Sequence, residues 1–256
     1  MQQLRTAAAS GTRSIAKCLA FHAQQRPNAL AVTEAGGGAA ERSISFAELD
    51  RRSSRLAHAY AAALGDVNPF GRIITLALPN SIELMTAACA CWKLGGTPQP
   101  VDPRAPTSEL RRILEAGSSA MVVGVDAERH APLSSVCQKV LPRGFEADET
   151  MPTTAPANGE LIPPHYKAPL SGGSTGKPKV ILSNQPGEFD PEHDDFLFTS
   201  RGGAMLIPGP CSHNVPFMWS THSLIQGKHT VQMRRFDAAD SLRLLAKHRC
   251  DYTPMV

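Results

Sequence analysis

The stretch LSGGSTGKPKVILS, residues 170–183, joins an apolar lead-in to the apolar run Val180-Ile181-Leu182 through a loop of small polar residues. The three glycines of the loop let the backbone approach an anion closely and present consecutive amides to it. Its serine and threonine hydroxyls and its two lysines add hydrogen-bond donors and positive charge. This composition predicts a loop that binds a polyphosphate.

The loop departs from a Walker A motif, which needs G-x-x-x-x-G-K followed by Ser or Thr. Gly172 lies one residue too close to Gly176, and Pro178 stands where the magnesium-binding hydroxyl belongs. Proline also disfavours helical angles at Lys177, and the β-branched residues that follow favour a strand. The pattern therefore predicts strand–loop–strand and disfavours a free-standing P-loop NTPase.

Composition narrows the class of protein and of partner. The 256 residues are 42% hydrophobic and 19% charged, which is typical of a globular chain with one large domain or two small ones. The net charge of +3 gives no reason to expect nucleic acid or an anionic membrane as a partner. No apolar run approaches the ~20 residues that span a bilayer. We therefore expect small-molecule partners and a cytoplasmic location.

The six cysteines and the histidines show no metal-ligand spacing. No CxxC pair occurs, so buried free thiols in a reducing compartment are expected, with no metal site. His222 and His229 are expected to be ordinary surface or core residues. No acidic residue precedes Glu34, and in this respect the composition of the N-terminal segment resembles that of a transit peptide. A short amphipathic helix around Ile15 and Leu19 is the favoured alternative.

Strand-like and helix-like segments alternate between residues 40 and 125, which predicts an α/β fold with parallel sheets flanked by helices. Ser45 and Glu48 form a capping-box pattern that opens a helix ending near Gly65. Asn80 is expected to begin the next helix, and Pro106 is expected to be the first residue of the one after. Strands are predicted at 73–78, 97–101, 121–123, 204–207 and 230–233, and a last helix is predicted after Asp237.

Prolines divide the chain into three predicted units. Residues 1–140 are expected to form a first α/β subdomain. Residues 141–169 contain six prolines in a polar stretch with little periodicity, which is typical of a connecting loop. Residues 170–256 are expected to hold the phosphate loop and the start of a second, truncated α/β subdomain.

The ordered run from Ser171 to Lys179 resembles the nucleotide-phosphate signature of the adenylate-forming superfamily, T-S-G-T-T-G-x-P-K-G. This family includes acyl-CoA synthetases, peptide-synthetase adenylation domains and luciferases. The chain departs from the signature at Ser171, Gly172 and Ser174, and Val180 replaces its final glycine. Residues 43–60, 72–114, 206–217 and 227–256 are similar to further segments of the family, so the resemblance covers nearly the whole chain.

The resemblance implies a reaction in which a carboxylic acid and ATP form an acyl-adenylate, which coenzyme A then converts to a thioester, with magnesium sharing the pyrophosphate charge. It assigns phosphate binding to eight loop residues: Ser171, Gly172, Gly173, Ser174, Thr175, Gly176, Lys177 and Lys179. It assigns the acyl pocket to His213, Asn214 and Phe217, and core packing explains Phe217 equally well. No catalytic residue or metal ligand is implied.

Other features of the family limit the prediction. Peptide-synthetase domains carry an aspartate near the acyl-pocket histidine, and residues 210–217 contain no acid, so a plain carboxylic acid is favoured over an amino acid. The family's G-Y-G-x-T-E and T-G-D motifs, its hinge and its C-terminal catalytic lysine do not occur in the sequence. We therefore expect an N-terminal portion that is inactive alone. The alternative is a non-catalytic remnant that acts as a binding or assembly module. A homodimer is left open.

Overall fold

The computed structural model describes residues 11–171, 178–192 and 203–255. The helices are α1 (Ile15–Gln25), α2 (Phe46–Leu64), α3 (Ile82–Lys93), α4 (Thr107–Gly117), α5 (His130–Ser134), α6 (Asn214–Ile225) and α7 (Ala238–Lys247). The strands are β1 (Arg13–Ser14), β2 (Leu30–Ala35), β3 (Arg42–Ser45), β4 (Ile73–Leu76), β5 (Thr97–Pro100), β6 (Met121–Val125), β7 (Lys139–Pro142), β8 (Leu170–Ser171), β9 (Lys179–Val180), β10 (Glu188–Phe189), β11 (Ala204–Ile207), β12 (His229–Met233) and β13 (Cys250–Tyr252).

Two sheets carry the fold, and both are mainly parallel. One has the order β5-β4-β6-β7 and is parallel throughout. The other has the order β13-β11-β12-β2-β3, and only its β2–β3 pair is antiparallel. Every residue of β4, β5, β6 and β11 is buried, as expected where helices cover both faces of a parallel sheet. The predicted α/β class with parallel sheets flanked by helices is confirmed.

The second sheet combines strands from both ends of the chain. Strand β2 pairs in parallel with β12, so that Thr230 lies opposite Val32 and Met233 opposite Ala35. The predicted units 1–140 and 170–256 therefore contribute to one sheet, and the boundary at 141–169 does not separate the two sheets. As a division into subdomains it stays a prediction.

Helix α2 begins with only half of the predicted capping box. The Ser45 hydroxyl accepts a hydrogen bond from the Glu48 amide at 3.3 Å. The Glu48 carboxylate does not reach back to the cap, because it binds the guanidinium groups of Arg51 and Arg52 at 2.6–2.7 Å. In these bonds donor and acceptor are both charged, whereas the cap amide is a neutral donor. The helix ends before Gly65 as predicted.

Helix α3 begins one residue later than predicted. Its N-cap is Ser81, whose hydroxyl accepts from the Leu84 amide at 3.0 Å. The Asn80 side chain instead donates to the carbonyls of Gly209 and Met233 and accepts from the amide of Cys211. Asn80 therefore ties the start of α3 to the segment before α6. Pro106 is likewise the N-cap of α4 rather than its first residue.

Helices α2 and α3 are joined by a buried lysine. Lys93 has no exposed surface, and its ammonium donates to the Asp50 carbonyl and carboxylate, each at 2.7 Å, and to the Ser54 hydroxyl at 2.8 Å. These three acceptors use all three N–H donors of the lysine. Burial lowers the pKa of Lys93, and Asp50 opposes this shift.

Other predictions about packing are confirmed. Helix α1 forms, with Ile15, Leu19 and His22 buried. All six cysteines are free, and only Cys250 is partly exposed. In the part of the chain that the structure covers, no helix has both the length and the apolarity to cross a membrane.

Candidate active site

The predicted phosphate loop is carried by an antiparallel hairpin. Leu170 of β8 lies opposite Val180 of β9, and Ser171 lies opposite Lys179. The predicted strand–loop–strand arrangement is therefore confirmed at the base of the loop. Lys179 is exposed and Ser171 is half-buried. Gly172, Gly173, Ser174, Thr175, Gly176 and Lys177 lie outside the described residues.

The base of this hairpin is anchored to the four-stranded sheet. Backbone hydrogen bonds continue below it, from Ile181 to Pro169, from Ser183 to Lys167 and from Tyr166 to Gln185, at 2.9–3.1 Å. On the other side, the Ala168 amide donates to the Pro98 carbonyl of β5 at 3.1 Å. The hairpin thus continues from the edge of the sheet, which holds the ends of the loop in place.

The predicted acyl-pocket residues lie at the N-cap and in the first turn of α6, and the structure separates them. His213 is the N-cap of α6 and forms no side-chain cap hydrogen bond. His213 and Asn214 are exposed at the start of the helix, whereas Phe217 is fully buried in the main core. The sequence left two roles open for Phe217, lining the acyl pocket or packing in the core. In the structure Phe217 packs in the core.

Two consecutive residues connect the hairpin to α6. The hydroxyl of Tyr166 hydrogen-bonds the hydroxyl of Thr221, which itself donates to the Phe217 carbonyl at 2.9 Å. The Lys167 ammonium donates to Oδ1 of Asn214 at 2.5 Å. The segment that leads into the phosphate loop therefore contacts the helix that carries the predicted acyl-pocket residues.

The environment of this connection is apolar. Tyr166 is buried and stacks on Trp92, with ring centroids 5.9 Å apart. Lys167 is only 7% exposed, and burial lowers its pKa to about 8. His222 is buried against Tyr166, and burial, followed by the charge of Lys167, lowers the pKa of His222 to about 3. At neutral pH Lys167 remains mainly charged and His222 is neutral.

An acidic residue lies on the His213 side of the site. Asp102 follows β5, and its carboxylate accepts from the backbone and guanidinium N–H groups of Arg104 at 2.9–3.1 Å. The Arg104 hydrogen bonds lower the pKa of Asp102, and the charge of His213 contributes in the same direction. Asp102 and His213 thus follow the carboxyl ends of β5 and β11, where ligands of open α/β sheets bind.

Lys167 and Asp102 were not among the predicted site residues. Lys167 stands between a tyrosine and an alanine in a segment that continues into a strand, where a buried charge is unusual. Its burial comes from contacts with residues distant in the chain, such as Asn214, which the sequence does not show. For Asp102 the sequence carries no signal beyond its place after a strand.

The histidines and acids do not form a metal centre in the described ranges, since no group of three or more His, Cys, Asp or Glu side chains is arranged to hold an ion there. His222 and His229 are both core residues. His229 Nε2 lies 2.8 Å from the Thr33 hydroxyl, and burial, followed by the charge of His248, lowers its pKa to about 4. These two histidines fit the structural role that was predicted for them.

Comparison with known proteins gives a consistent result. A family model described as "AMP-binding enzyme" matches residues 19–256. 4-Coumarate–CoA ligase 5 from Oryza sativa subsp. japonica is 26% identical over 241 residues, covering 86% of this chain and 43% of the ligase. Syringomycin synthase SyrB1 from Pseudomonas syringae pv. syringae is 31% identical over 162 residues, covering 62% of this chain and 24% of the synthase.

A solved structure shows the same fold. O-succinylbenzoate coenzyme A synthetase from Bacillus subtilis, in complex with ATP and magnesium ion, superposes with a TM-score of 0.71 at 20% identity. The alignment covers 94% of this chain and 63% of the synthetase. The chain therefore spans less than two thirds of each of these proteins.

Proposed function

Because the chain belongs to the AMP-binding enzyme family, we propose that it forms part of an ATP-dependent acid–CoA ligase. A carboxylate oxygen attacks the α-phosphorus of ATP, and pyrophosphate leaves, which gives an acyl-adenylate. The thiol of coenzyme A then attacks the acyl carbon, and AMP leaves. The observation that carries this proposal is the β8–β9 hairpin, which presents Ser171 and Lys179 as cross-strand partners at the two ends of the predicted phosphate loop.

The proposed roles follow from the charge of the reactants. A carboxylic acid is ionised at neutral pH, so the first step needs no general base. It needs neutralisation of the triphosphate and in-line positioning. The Ser171 hydroxyl and the Lys179 ammonium supply a donor and a charge at the base of the loop, and the predicted residues 172–177 supply the rest. Magnesium, when bound, shares the charge of the pyrophosphate.

A carboxylic acid without an amino group is the substrate class that the charges support best. The N-terminal end of a helix carries a partial positive charge, and α6 presents this end at His213 and Asn214. The Lys167 ammonium is hydrogen-bonded to Asn214 at the same place. Both features repel the ammonium group of an amino acid. We therefore propose His213 and Asn214 as the polar end of an acyl pocket for a bulky hydrophobic or aromatic acid.

The test is ATP–pyrophosphate exchange by the whole protein that contains this chain, with magnesium and a panel of aliphatic, aromatic and amino acids. We expect exchange with one or more plain acids and a thioester when coenzyme A is added. Exchange with amino acids alone would refute the substrate class. Nucleotide binding without exchange would favour the non-catalytic module. Residues 1–256 by themselves are proposed to give no exchange, and turnover by this polypeptide would refute that.

A further inference from the structure

Lys167 differs from the buried lysine that holds α2 against α3. Lys93 uses its three donors on a carboxylate, a carbonyl and a hydroxyl. Lys167 is 7% exposed, yet in the described part of the chain its one hydrogen-bond acceptor is the neutral Asn214 Oδ1, and no carboxylate forms an ion pair with it. A buried charge is costly unless it is paired and hydrogen-bonded. Among the described residues the Lys167 ammonium therefore has two further N–H donors and no carboxylate counter-ion, and it lies 5.4 Å from the centroid of the Tyr166 ring.

The position of this ammonium adds to the cost. Helix α6 has 12 residues, and its positive end lies at Asn214, where a lysine is electrostatically unfavourable. The neighbouring His222 is kept neutral and offers no negative charge. The acid on the His213 side of the site, Asp102, is hydrogen-bonded by Arg104. A bound ligand anion would offset three costs of the Lys167 charge together: its burial, its lack of a carboxylate partner among the described residues, and its position at the positive end of α6.

Lys167 and Asn214 together offer only hydrogen-bond donors to such a ligand. Asn214 is exposed, and because its carbonyl oxygen accepts from Lys167, its amide NH₂ group is left to donate. The ammonium keeps two further N–H groups. An acceptor-only group matches this set, and an ionised carboxylate on a small molecule is such a group.

We propose that Lys167 and Asn214 bind a second carboxylate on the acid that the ligase activates, so that the preferred substrates are dicarboxylic acids. This inference rests on the proposed function and names the substrate class for the same site. Lys167 acts as a specificity-determining residue: it contacts the far end of the acid and takes no part in the transfer to the α-phosphorus.

The test compares acids that share a skeleton in the whole protein. Pyrophosphate exchange is measured with straight-chain monocarboxylic acids of four to eight carbons and their α,ω-dicarboxylic counterparts, and with benzoic and benzene-1,4-dicarboxylic acid. We expect kcat/KM to favour the diacid of the best-fitting length by at least about tenfold, through KM, as for a hydrogen-bonded charge pair. Lys167→Met should abolish or reverse the preference, and Lys167→Arg should keep part of it. Lys139→Met, on a half-exposed residue of β7 at the opposite edge of the four-stranded sheet from β5, is the matched control.

A purely structural role predicts a different outcome. If Lys167 merely fixed α6, Lys167→Met would lower the thermal midpoint, and that result would overturn the proposal. We expect the midpoint to stay or rise, because the variant removes a buried charge that has no carboxylate partner among the described residues. Equal use of mono- and diacids by the wild type, with a ratio unchanged in Lys167→Met, would also overturn it while leaving the ligase function intact.

Failure of the ligase function gives a separate result. In that case no acid supports exchange, and the thermal shift produced by each diacid and its monoacid decides about Lys167 alone. A shift specific to a diacid and lost in Lys167→Met supports the anion site, and the absence of any such shift overturns it.

Discussion

Removing the carboxylate of Asp50 should destabilise the protein more than removing the lysine it binds. In Asp50→Ala the Lys93 ammonium remains fully buried between α2 and α3 and keeps only a backbone carbonyl and the Ser54 hydroxyl. In Lys93→Met the charge disappears, and a side chain of similar length fills the space. The Asp50 carboxylate, whose side chain is 25% exposed, then reaches water.

The magnitude follows from the burial of each partner. Breaking a buried pair so that one charge is left unpaired costs about 3–5 kcal/mol, whereas replacing the charge by an apolar group is often close to neutral. Partial exposure of Asp50 places Asp50→Ala at the lower end, about 3 kcal/mol. Lys93→Met should cost about 1 kcal/mol, because it loses hydrogen bonds but no charge is stranded. For a chain of this size, the loss of about 3 kcal/mol in Asp50→Ala lowers Tm by roughly 6–12 °C.

The assay is urea denaturation and calorimetry of the two single variants and of the double variant Asp50→Ala/Lys93→Met. The double variant should be more stable than Asp50→Ala alone, since the second change removes the stranded charge. Glu149→Ala, at an exposed position, is the control. The reasoning is refuted if Lys93→Met is the more damaging single change, or if the two losses add in the double variant.

Three further predictions concern the hairpin, Lys167 and the start of α3. Lys179→Met should lower kcat/KM for ATP by about 10–100-fold in pyrophosphate exchange, as for loss of a charge-assisted phosphate contact, while Lys139→Met leaves it unchanged. The Lys167 pKa falls from 10.5 to about 8 on folding, so the unfolded chain binds more protons between these values and stability rises with pH there. Urea titrations should show that the free energy of unfolding of Lys167→Met exceeds that of the wild type by about 3 kcal/mol at pH 7, and that this difference falls toward zero near pH 10.5. A difference that does not change with pH would contradict the prediction. Asn80→Ala should cost about 3 kcal/mol by urea denaturation, because it leaves the Gly209 and Met233 carbonyls and the Cys211 amide without their partner; a loss below 1 kcal/mol would show that water replaces it.

Local signals predicted the elements of the fold well. The Ser45 cap, the strand at 204–207 and the cap at Asp237 all depend on neighbouring residues, and the structure confirms each. The strand–loop–strand arrangement was predictable for the same reason, because Pro178 and Val180 act on the backbone beside them. Such features need no knowledge of what packs against them.

Contacts between distant residues were not predictable. Asn80 looks like a helix cap, but it is used to join segments 129 and 153 residues away, and no local pattern announces those partners. The pairing of β2 with β12 is equally invisible to periodicity, so the predicted units gave no sign of a shared sheet. In the candidate site, the loop of small polar residues was evident from composition. The role of Lys167 was not predictable, because it depends on the contact with Asn214 of α6.

The pairing of β2 with β12 also sets an order of events during synthesis. The four-stranded sheet has all its strands once residue 142 has emerged from the ribosome, but β2 must wait for residues 229–233. At about 5–20 residues per second, the intervening chain of roughly 190 residues takes about 10–40 s to make. During that interval the edge of β2 that β12 will cover is open to other nascent chains. Translation speed and chaperone supply should therefore govern the yield of folded protein.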